Sequence, residues 1–370
     1  MKKVLFLIPT LGGGGAERVL VNLVNNLDSS QYTITLQTIF KPGVNASLLH
    51  RNIAFIPGKL KQFRGNTKLM KLFSPKFLFS LIVKQKYDII VSYLEGPTAR
   101  IVSGCQDKDT KLVAWIHTDL SHGATTKSFK SKKEAEACYN RFDHIACVAQ
   151  KVKEALIDTY NISRPISVIY NTNEDDVIRE KANERLTDIH FSSETNLISV
   201  GRLTHVKGFD RLIRVHKRLL DEGIAHHLYI VGAGEEEQKL RCQIKEEKLA
   251  DSVSLVGFKA NPYKYISNAD LFVCSSYNEG FSTVVTESLI LGIPVVSTDV
   301  SGAKELLGMN NEYGIVTKNS DEGLFLGLHK ILQNPSLLNQ YKVKANERGK
   351  SFSKQHTTQS VIDLFNSLYI

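Results

Sequence analysis

No apolar run in this 370-residue sequence approaches the roughly 18–20 residues that a bilayer-spanning helix needs. That argues against an integral helical membrane protein. The apolar stretch Val4–Ile8 that follows Lys2 and Lys3 is short and lacks a cleavage site, so it reads as a buried strand and not as a signal peptide. Cysteine is scarce and scattered: Cys105, Cys138, Cys147, Cys242 and Cys274 are odd in number and contain no C-x-x-C pair. Neither a disulfide framework nor a zinc knuckle is expected, and a reducing cytoplasm fits best. Acidic residues are missing altogether between Ser29 and Tyr87, where ten residues are basic. Residues 1–172 hold 24 Lys and Arg against 12 Asp and Glu, whereas residues 173–370 hold 23 against 26. The net charge of +9 is therefore carried by the first half, which points to an anionic partner for that half. No nucleic-acid-reading motif or aromatic stacking set accompanies the charge, so nucleic acid is not the expected partner. Repeats and low-complexity tracts are also lacking.

What is present is a strand–helix alternation, twice over. In the first half, Val4–Pro9, Thr33–Ile39, Asp88–Tyr93, Leu112–His117, His144–Val148 and Ile166–Tyr170 read as strands. Between the first two, Val19, Leu20, Leu23, Val24 and Leu27 share one face of a helix over Ala16–Leu27. Ser74-Pro75 marks a helix start, with serine as cap and proline at the first helical position, ahead of Phe77, Leu78, Leu81 and Ile82 at helical spacing. The second half restarts with strands at Leu197–Val200, Leu228–Val231, Ser252–Val256, Leu271–Cys274 and Pro294–Ser297. Helices are predicted over Phe209–Leu220 and Ser282–Leu291, the latter stopped by Gly292 and Pro294. The class is α/β, with two parallel-sheet units. The expected domains are residues 1–172 and 173–350, with the polar, acidic stretch Asn171–Arg179 as linker. A final helix over 351–370 need not stay with the second domain.

Four segments carry chemistry. Gly12-Gly13-Gly14-Gly15 ends the first strand and opens a helix, where bare backbone lets a ligand approach and free amides favour an anion. The spacing is not G-x-G-x-x-G, and no acidic residue closes the next strand, which argues against a nicotinamide dinucleotide. A contact from Gly14 and Gly15 to phosphate or substrate is expected, since a tight turn alone would need one glycine. Gly232-Ala233-Gly234 holds the same position in the second half, but Glu235, Glu236 and Glu237 follow and would repel a phosphate. A plain turn with helix-start charges and a ligand contact are equally open there. Arg202 and Lys207 lie in the loop that leaves the strand Leu197–Val200, at the end where ligands bind in doubly wound sheets. A guanidinium fork and an ammonium point charge suit a diphosphate. Glu279 sits on the loop after Leu271–Cys274, and Glu287 lies about one and a half turns into the next helix. The two carboxylates are too far apart for an acid–base dyad and fit hydroxyls on different parts of one long ligand. The amides of Gly280 to Thr283 lie between them and can receive a phosphate.

Together these segments resemble the retaining glycosyltransferases of glycosyltransferase family 4, which have the GT-B fold. The matching motifs are the glycine loop before Ala16-Glu17-Arg18, Gly201-Arg202-Leu203 with Lys207-Gly208-Phe209-Asp210, and Val231-Gly232-Ala233-Gly234. Glu279 to Glu287 with seven residues between, Gly292-Ile293-Pro294-Val295-Val296, and Gly302 with Glu305 complete the set. The resemblance implies two Rossmann-like parallel-sheet domains facing across a cleft, with the acceptor on the first and a nucleotide-sugar donor on the second. It implies that Arg202 and Lys207 hold the donor diphosphate and that Glu287 binds the ribose. Glu279 would contact the transferred sugar, with Gly280, Phe281 and Ser282 offering donors nearby. Val256, Gly257 and Phe258 would lie beside the base. His117 matches the family's active-site histidine, and Gly14 and Gly15 would contact donor phosphate or acceptor. The Asn171-Thr172-Asn173-Glu174 segment departs from the family's usual Asn-Gly hinge.

The implied reaction is transfer of a hexosyl or N-acetylhexosaminyl unit, from a UDP-sugar by family frequency, to a saccharide acceptor. The acceptor would be lipid-linked and the product a cell-surface polysaccharide such as capsule, O-antigen or exopolysaccharide. No cofactor and no metal are expected, because Arg202 and Lys207 supply the positive charge and the second half has no Asp-x-Asp triplet. Two alternatives share the architecture: a sugar-nucleotide epimerase, against which the basic first half argues, and a non-catalytic partner subunit, against which the retention of Arg202, Lys207 and Glu287 argues. In the first half Lys59, Lys61, Arg64, Lys68, Lys71, Lys76, Lys84 and Lys86 interleave with Leu69, Met70, Leu72, Phe73, Phe77 and Phe79, and Lys127, Lys130, Lys132 and Lys133 form a second cluster. That mixture suits an anionic membrane surface, so peripheral attachment at the inner face of the plasma membrane is expected.

Overall fold

The computed structural model describes residues 1–61, 65–118, 128–279 and 281–370. Two compact units account for the chain: Met1–Asn173 together with Lys354–Ile370, and Glu174–Ser353.

The first unit is built on a seven-stranded sheet. Its strands are β1 (Lys2–Ile8), β2 (Tyr32–Thr38), β3 (Ala54–Ile56), β4 (Ile89–Tyr93), β5 (Lys111–Ile116), β6 (His144–Cys147) and β7 (Ile166–Val168), in the order β3-β2-β1-β4-β5-β6-β7. Every pairing is parallel, with Lys2 opposite Tyr32 and Val4 opposite Ile89. Val4 to Ile8 are all fully buried, as a strand covered on both faces must be. The helix Lys354–Ser367 belongs to this unit, and its Phe365 packs on Phe6 and Tyr32, with ring centroids at 6.3 and 5.6 Å. The Ser74 cap is as predicted: its hydroxyl accepts from the Phe77 amide at the head of the helix Pro75–Ile82.

The second unit carries a six-stranded sheet. Its strands are β8 (Thr195–Val200), β9 (His226–Val231), β10 (Val253–Gly257), β11 (Leu271–Cys274), β12 (Val295–Thr298) and β13 (Ile315–Thr317). The order is β10-β9-β8-β11-β12-β13, again wholly parallel. Leu212, Ile213 and Leu219 of the helix Phe209–Asp221 join Leu324, Leu328 and Ile331 of Asp321–Leu332 over Leu197, Leu228 and Val273 of the sheet. Both sheets reverse direction of winding, at β1/β4 and at β8/β11. Those are the points where a doubly wound sheet opens a crevice at its strands' carboxyl ends.

The boundary between the two units falls after Asn173, inside the stretch Asn171–Arg179 that was expected to join them. The stretch is not solvated throughout: Asn171, Thr172 and Asn173 are buried, and a helix runs over Asp175–Ala182. The acids that suggested a solvated linker, Asp175 and Asp176, occupy the first turn, where negative charge complements the helix dipole. Ile178 and Ala182 are buried, and this helix packs against Tyr263–Ile266 and Thr283–Ile290.

The second unit also buries a pair of histidines. His216 Nδ1 lies 2.8 Å from His226 Nε2, His226 Nδ1 lies 2.8 Å from the Ile224 carbonyl, and His216 Nε2 lies 2.9 Å from Ser252 Oγ. A carbonyl can only accept, so His226 carries its proton on Nδ1 and takes one from His216 at Nε2. His216 Nε2 then accepts from Ser252, and both rings are neutral. Burial, reinforced at His216 by the other imidazoles, holds both below the ordinary histidine range. In the unfolded chain a histidine protonates near pH 6.5. Below that pH the unfolded state binds more protons, so stability falls as the pH drops, by up to about 1.4 kcal/mol per pH unit per histidine. Urea denaturation at pH 7.5 and pH 5 should show this loss, and His216→Gln should flatten it. An equal slope in the variant would show that the pair does not govern acid lability.

Candidate active site

The candidate donor site forms where β8 and β11 end. Backbone geometry dictates its first feature. Gly208 has φ +65°, and a Cβ there would collide with the Ser275 carbonyl, so the loop after β8 can lie against the loop after β11 only with glycine at this position. The contact is then stitched by hydrogen bonds. Ser275 Oγ donates to the Lys207 carbonyl at 3.0 Å, and the Tyr277 amide donates to the Val206 carbonyl at 2.8 Å.

Lys207 and Glu279, expected to serve different parts of a ligand, are brought together. Lys207 Nζ lies 2.5 Å from Glu279 Oε1, and Ser276 Oγ donates to the same oxygen at 2.8 Å. Oε2 takes no hydrogen bond from the described residues. Ser276 escaped sequence reasoning, and so did Tyr277. The Tyr277 ring is held between His205, 4.9 Å away, and the Arg211 guanidinium, 3.7 Å from its centroid. Its hydroxyl donates to Asp210 at 3.1 Å, and Asn319 donates to its carbonyl at 3.0 Å. An aromatic residue two before a glutamate carries no sequence signal for such a role, because its partners come from the helix start at Asp210 and the loop at Asn319.

Arg202 faces a separate opening. It lines a pocket of roughly 280 Å³ with Gly201, Gly232, Ala233, Phe258 and Lys259. Phe258 projects into solvent at 75% exposure, while Val256 and Gly257 end β10 half-buried beside it. Phe281 and Ser282 are buried at the head of the helix Thr283–Ile290. The Ser282 side chain makes no capping bond, which leaves that helix start without a side-chain cap. Gly280 lies outside the described residues. Glu287 accepts from the Tyr263 hydroxyl at 3.2 Å, a partner that sequence reasoning also missed.

In the first unit, His117 follows β5 directly. Its amide donates to Glu95 Oε2 at 2.9 Å, its ring packs 4.6 Å from that of Tyr93, and Nε2 is buried with no hydrogen-bond partner among the described residues. Burial drives its pKa down to about 3, so the imidazole is neutral at physiological pH. Gly14 caps the helix Gly15–Asn26, and a Cβ on it would collide with the Glu17 carboxylate, which folds back onto the glycine loop. A carboxylate placed there repels a phosphate and suits a hydroxyl. Among the described residues no cluster of three or more His, Cys, Asp or Glu side chains could hold a metal. The chain's one Asp-x-Asp, Asp107–Asp109, lies before β5, with Asp107 paired to Lys86 at 3.1 Å.

Two parallel sheets, each with a switch point, and two cations on the loop that leaves one of them are the features of a GT-B enzyme. The comparisons agree. A family profile described as Glycosyltransferase Family 4 matches residues 13–173, and one described as Glycosyl transferases group 1 matches residues 183–348. A relative from Campylobacter jejuni is 30% identical over 96% of this chain and 96% of its own length. It is an N-acetylgalactosamine-N,N'-diacetylbacillosaminyl-diphospho-undecaprenol 4-alpha-N-acetylgalactosaminyltransferase. The Erwinia amylovora amylovoran biosynthesis glycosyltransferase AmsD is 22% identical, covering 99% of this chain and 100% of that protein. Among solved structures, Anabaena Alr3699/HepE in complex with UDP superposes with a TM-score of 0.80 at 20% identity, over 99% of this chain and 100% of that one. The chain belongs to glycosyltransferase family 4 and has the GT-B fold; it is a glycosyltransferase.

Lys207→Ala is expected to lower turnover by about two to three orders of magnitude with the fold retained, because a preorganised cation at a charged leaving group contributes on that scale. Near-normal steady-state transfer would remove Lys207 from the site. Tyr277→Ala should lower kcat about tenfold by loosening the loop, whereas Tyr277→Phe keeps the stack and most of the rate. Equal rates in the two variants would refute the positioning role.

Proposed function

We propose that the protein transfers a hexosyl or N-acetylhexosaminyl unit from a UDP-sugar to a lipid-linked saccharide, with retention, in the assembly of a cell-surface polysaccharide. The observation that carries this reading is the Lys207–Glu279 pair beside an uncapped helix start, in the same unit as Arg202. The difficult step is departure of a nucleoside diphosphate while the sugar becomes oxocarbenium-like. Fixed cations and helix-start amides favour that charged transition state over the bound sugar. In this reading the diphosphate takes Lys207 away from Glu279 and also meets Arg202. The released carboxylate then accepts a sugar hydroxyl, with Ser276 still fixing one of its oxygens. Glu287, oriented by Tyr263, accepts from the ribose, and the exposed Phe258 face is available to the base.

Neutral His117 sits at the acceptor side. Its unpartnered Nε2 can take a hydrogen bond from an incoming hydroxyl or donate one, whereas an imidazolium could only donate. Attack then comes from the face the diphosphate leaves, which retains the configuration, and the reaction uses no metal. The relatives' names support the acceptor class: the Campylobacter enzyme acts on an undecaprenyl-diphosphate-linked sugar, and the Erwinia enzyme serves amylovoran synthesis. The UDP preference is supported by the HepE structure, which was solved with UDP. The protein would work peripherally at the inner face of the plasma membrane.

A thermal-shift panel of UDP-, GDP- and ADP-sugars tests the donor class. The expected result is a rise in midpoint with UDP-sugars, and stabilisation by GDP- or ADP-sugars alone would overturn it. Glu287→Ala should weaken UDP binding about tenfold or more, and Tyr263→Phe less, as loss of one hydrogen bond to a carboxylate implies. Calorimetric affinities unchanged in Glu287→Ala would refute the ribose role.

A further inference from the structure

The turn that carries the chain off β4 breaks the sheet's hydrogen-bond ladder in an unusual way. The Lys111 amide donates to the Asp88 carbonyl at 2.9 Å, and Tyr93 lies opposite Trp115. A parallel ladder repeats every second residue, so the next rung beyond β5 would run from the His117 amide to the Leu94 carbonyl. That rung is replaced. Leu94 turns into the left-handed region at φ +75°, and its carbonyl accepts from Thr98 Oγ1 at 2.5 Å. The Glu95 carboxylate takes the vacated place. Oε2 accepts from the His117 amide at 2.9 Å, and Oε1 accepts from the Thr118 hydroxyl.

The turn is held there against its preference. A leucine in the left-handed region crowds its own backbone and has no polar side chain to compensate. Gly96 follows at φ +89°, where a Cβ would lie 2.8 Å from Ser128 Oγ. Such conformations persist where the surroundings over-determine them, and they gather at functional sites. Here Thr98 ties Leu94 from beneath, and Pro97 opens the helix Pro97–Val102 directly after the glycine.

Both Glu95 bonds go to neutral donors, and among the described residues no Lys or Arg pairs with it. The carboxylate is therefore spent on the end of β5 and not on balancing a cation. The same turn also grips the His117 ring, because Tyr93, fully buried, packs 4.6 Å from it. Three consecutive residues, Tyr93-Leu94-Glu95, hold His117 by ring and by backbone. The hold matters because His117 Nε2 has no partner among the described residues that would fix the imidazole from its far side.

We propose that Glu95 is a positioning residue for glycosyl transfer: standing in for the missing rung, it sets the backbone of His117 and so the direction in which Nε2 points. It acts through His117 and touches neither substrate. The proposal rests on the reading that His117 meets the acceptor hydroxyl. The requirement is geometric and not electrostatic. Glutamine has the same length, can accept from the His117 amide through Oε1 and can donate to Thr118 Oγ through Nε2. Aspartate keeps the charge but is one methylene too short to serve both donors.

Histidine-selective 15N NMR of the full chain, with the His117 signals assigned through His117→Gln, reads the hold directly. The imidazole signals of Glu95→Gln should match wild type, whereas Glu95→Ala and Glu95→Asp should move or broaden them. Unmoved His117 signals in Glu95→Ala would overturn the proposal, whatever the enzyme's substrates. Transfer is read as UDP release from UDP-N-acetylgalactosamine, with diphospho-undecaprenol-linked N-acetylgalactosamine as acceptor. The kcat of Glu95→Gln should stay within about threefold of wild type, and those of Glu95→Ala and Glu95→Asp should fall about tenfold or more, the scale of a small misplacement. The donor KM and the calorimetric UDP affinity should not change. Adding Glu95→Ala to His117→Ala should cost no more than His117→Ala alone. Independent, additive losses would overturn the proposal. So would Glu95→Asp outperforming Glu95→Gln, which would place the charge itself on a substrate. If Glu95→Ala does not fold, the Gln and Asp variants carry both comparisons. Failure of the functional reading looks different: wild type shows no turnover, and the NMR comparison still decides the hold.

Discussion

A parallel sheet covered by helices on both faces has no free surface except at its strand ends. That constraint governs both units. Buried strands such as Val4–Ile8 and Leu197–Ser199 leave no position mid-strand where a polar side chain could meet a ligand. Chemistry is confined to the loops at the carboxyl ends, and at the switch points two such loops diverge. In the second unit this brings the loop after β8, with Arg202 and Lys207, beside the loop after β11, with Glu279. In the first unit Glu95 and His117 lie at the ends of the adjacent strands β4 and β5, one strand from the switch point.

The loops are not free to wander there. Several candidate groups have a neighbour that fixes them: Ser276 on Glu279, Tyr263 on Glu287, Glu95 on the His117 backbone amide, and Arg211 with His205 around Tyr277. A site that must stabilise a brief charge separation gains from such fixed groups, since they need not reorganise at the moment of reaction. The buried cation at Arg211 supports this arrangement without reaching the pocket: its fork ends on Asn319 and near Asp321.

Much of this was legible in the sequence. Short apolar runs located nearly every strand and period-3.6 patterns the principal helices, and Ser74-Pro75 marked a helix start that the structure caps as expected. The site loops were legible because glycine, arginine, lysine and glutamate there break the apolar pattern at a strand's end. Three things were not. The pairing of Lys207 with Glu279 depends on two loops 72 residues apart. The aromatic supports Tyr263 and Tyr277 look like ordinary core residues in one dimension. The helix that begins at Asp175 is hidden in the sequence by its acidic first turn, and the burial of Ile178 and Ala182 reveals it. The folding back of Glu17 onto Gly14 is likewise a matter of rotamer and invisible to spacing.

The placement of the helix Lys354–Ser367 has a consequence for synthesis. The second unit is one uninterrupted stretch of chain, Glu174–Ser353, and everything it needs has been made by the time Ser353 has left the ribosome. The first unit begins earlier but finishes later. Until Phe365 arrives, Phe6 and Tyr32 lack the aromatic surface that covers them. Domains usually close in the order of their synthesis. Here the unit begun first is sealed last, and its sheet waits with an open apolar face while the second unit is translated.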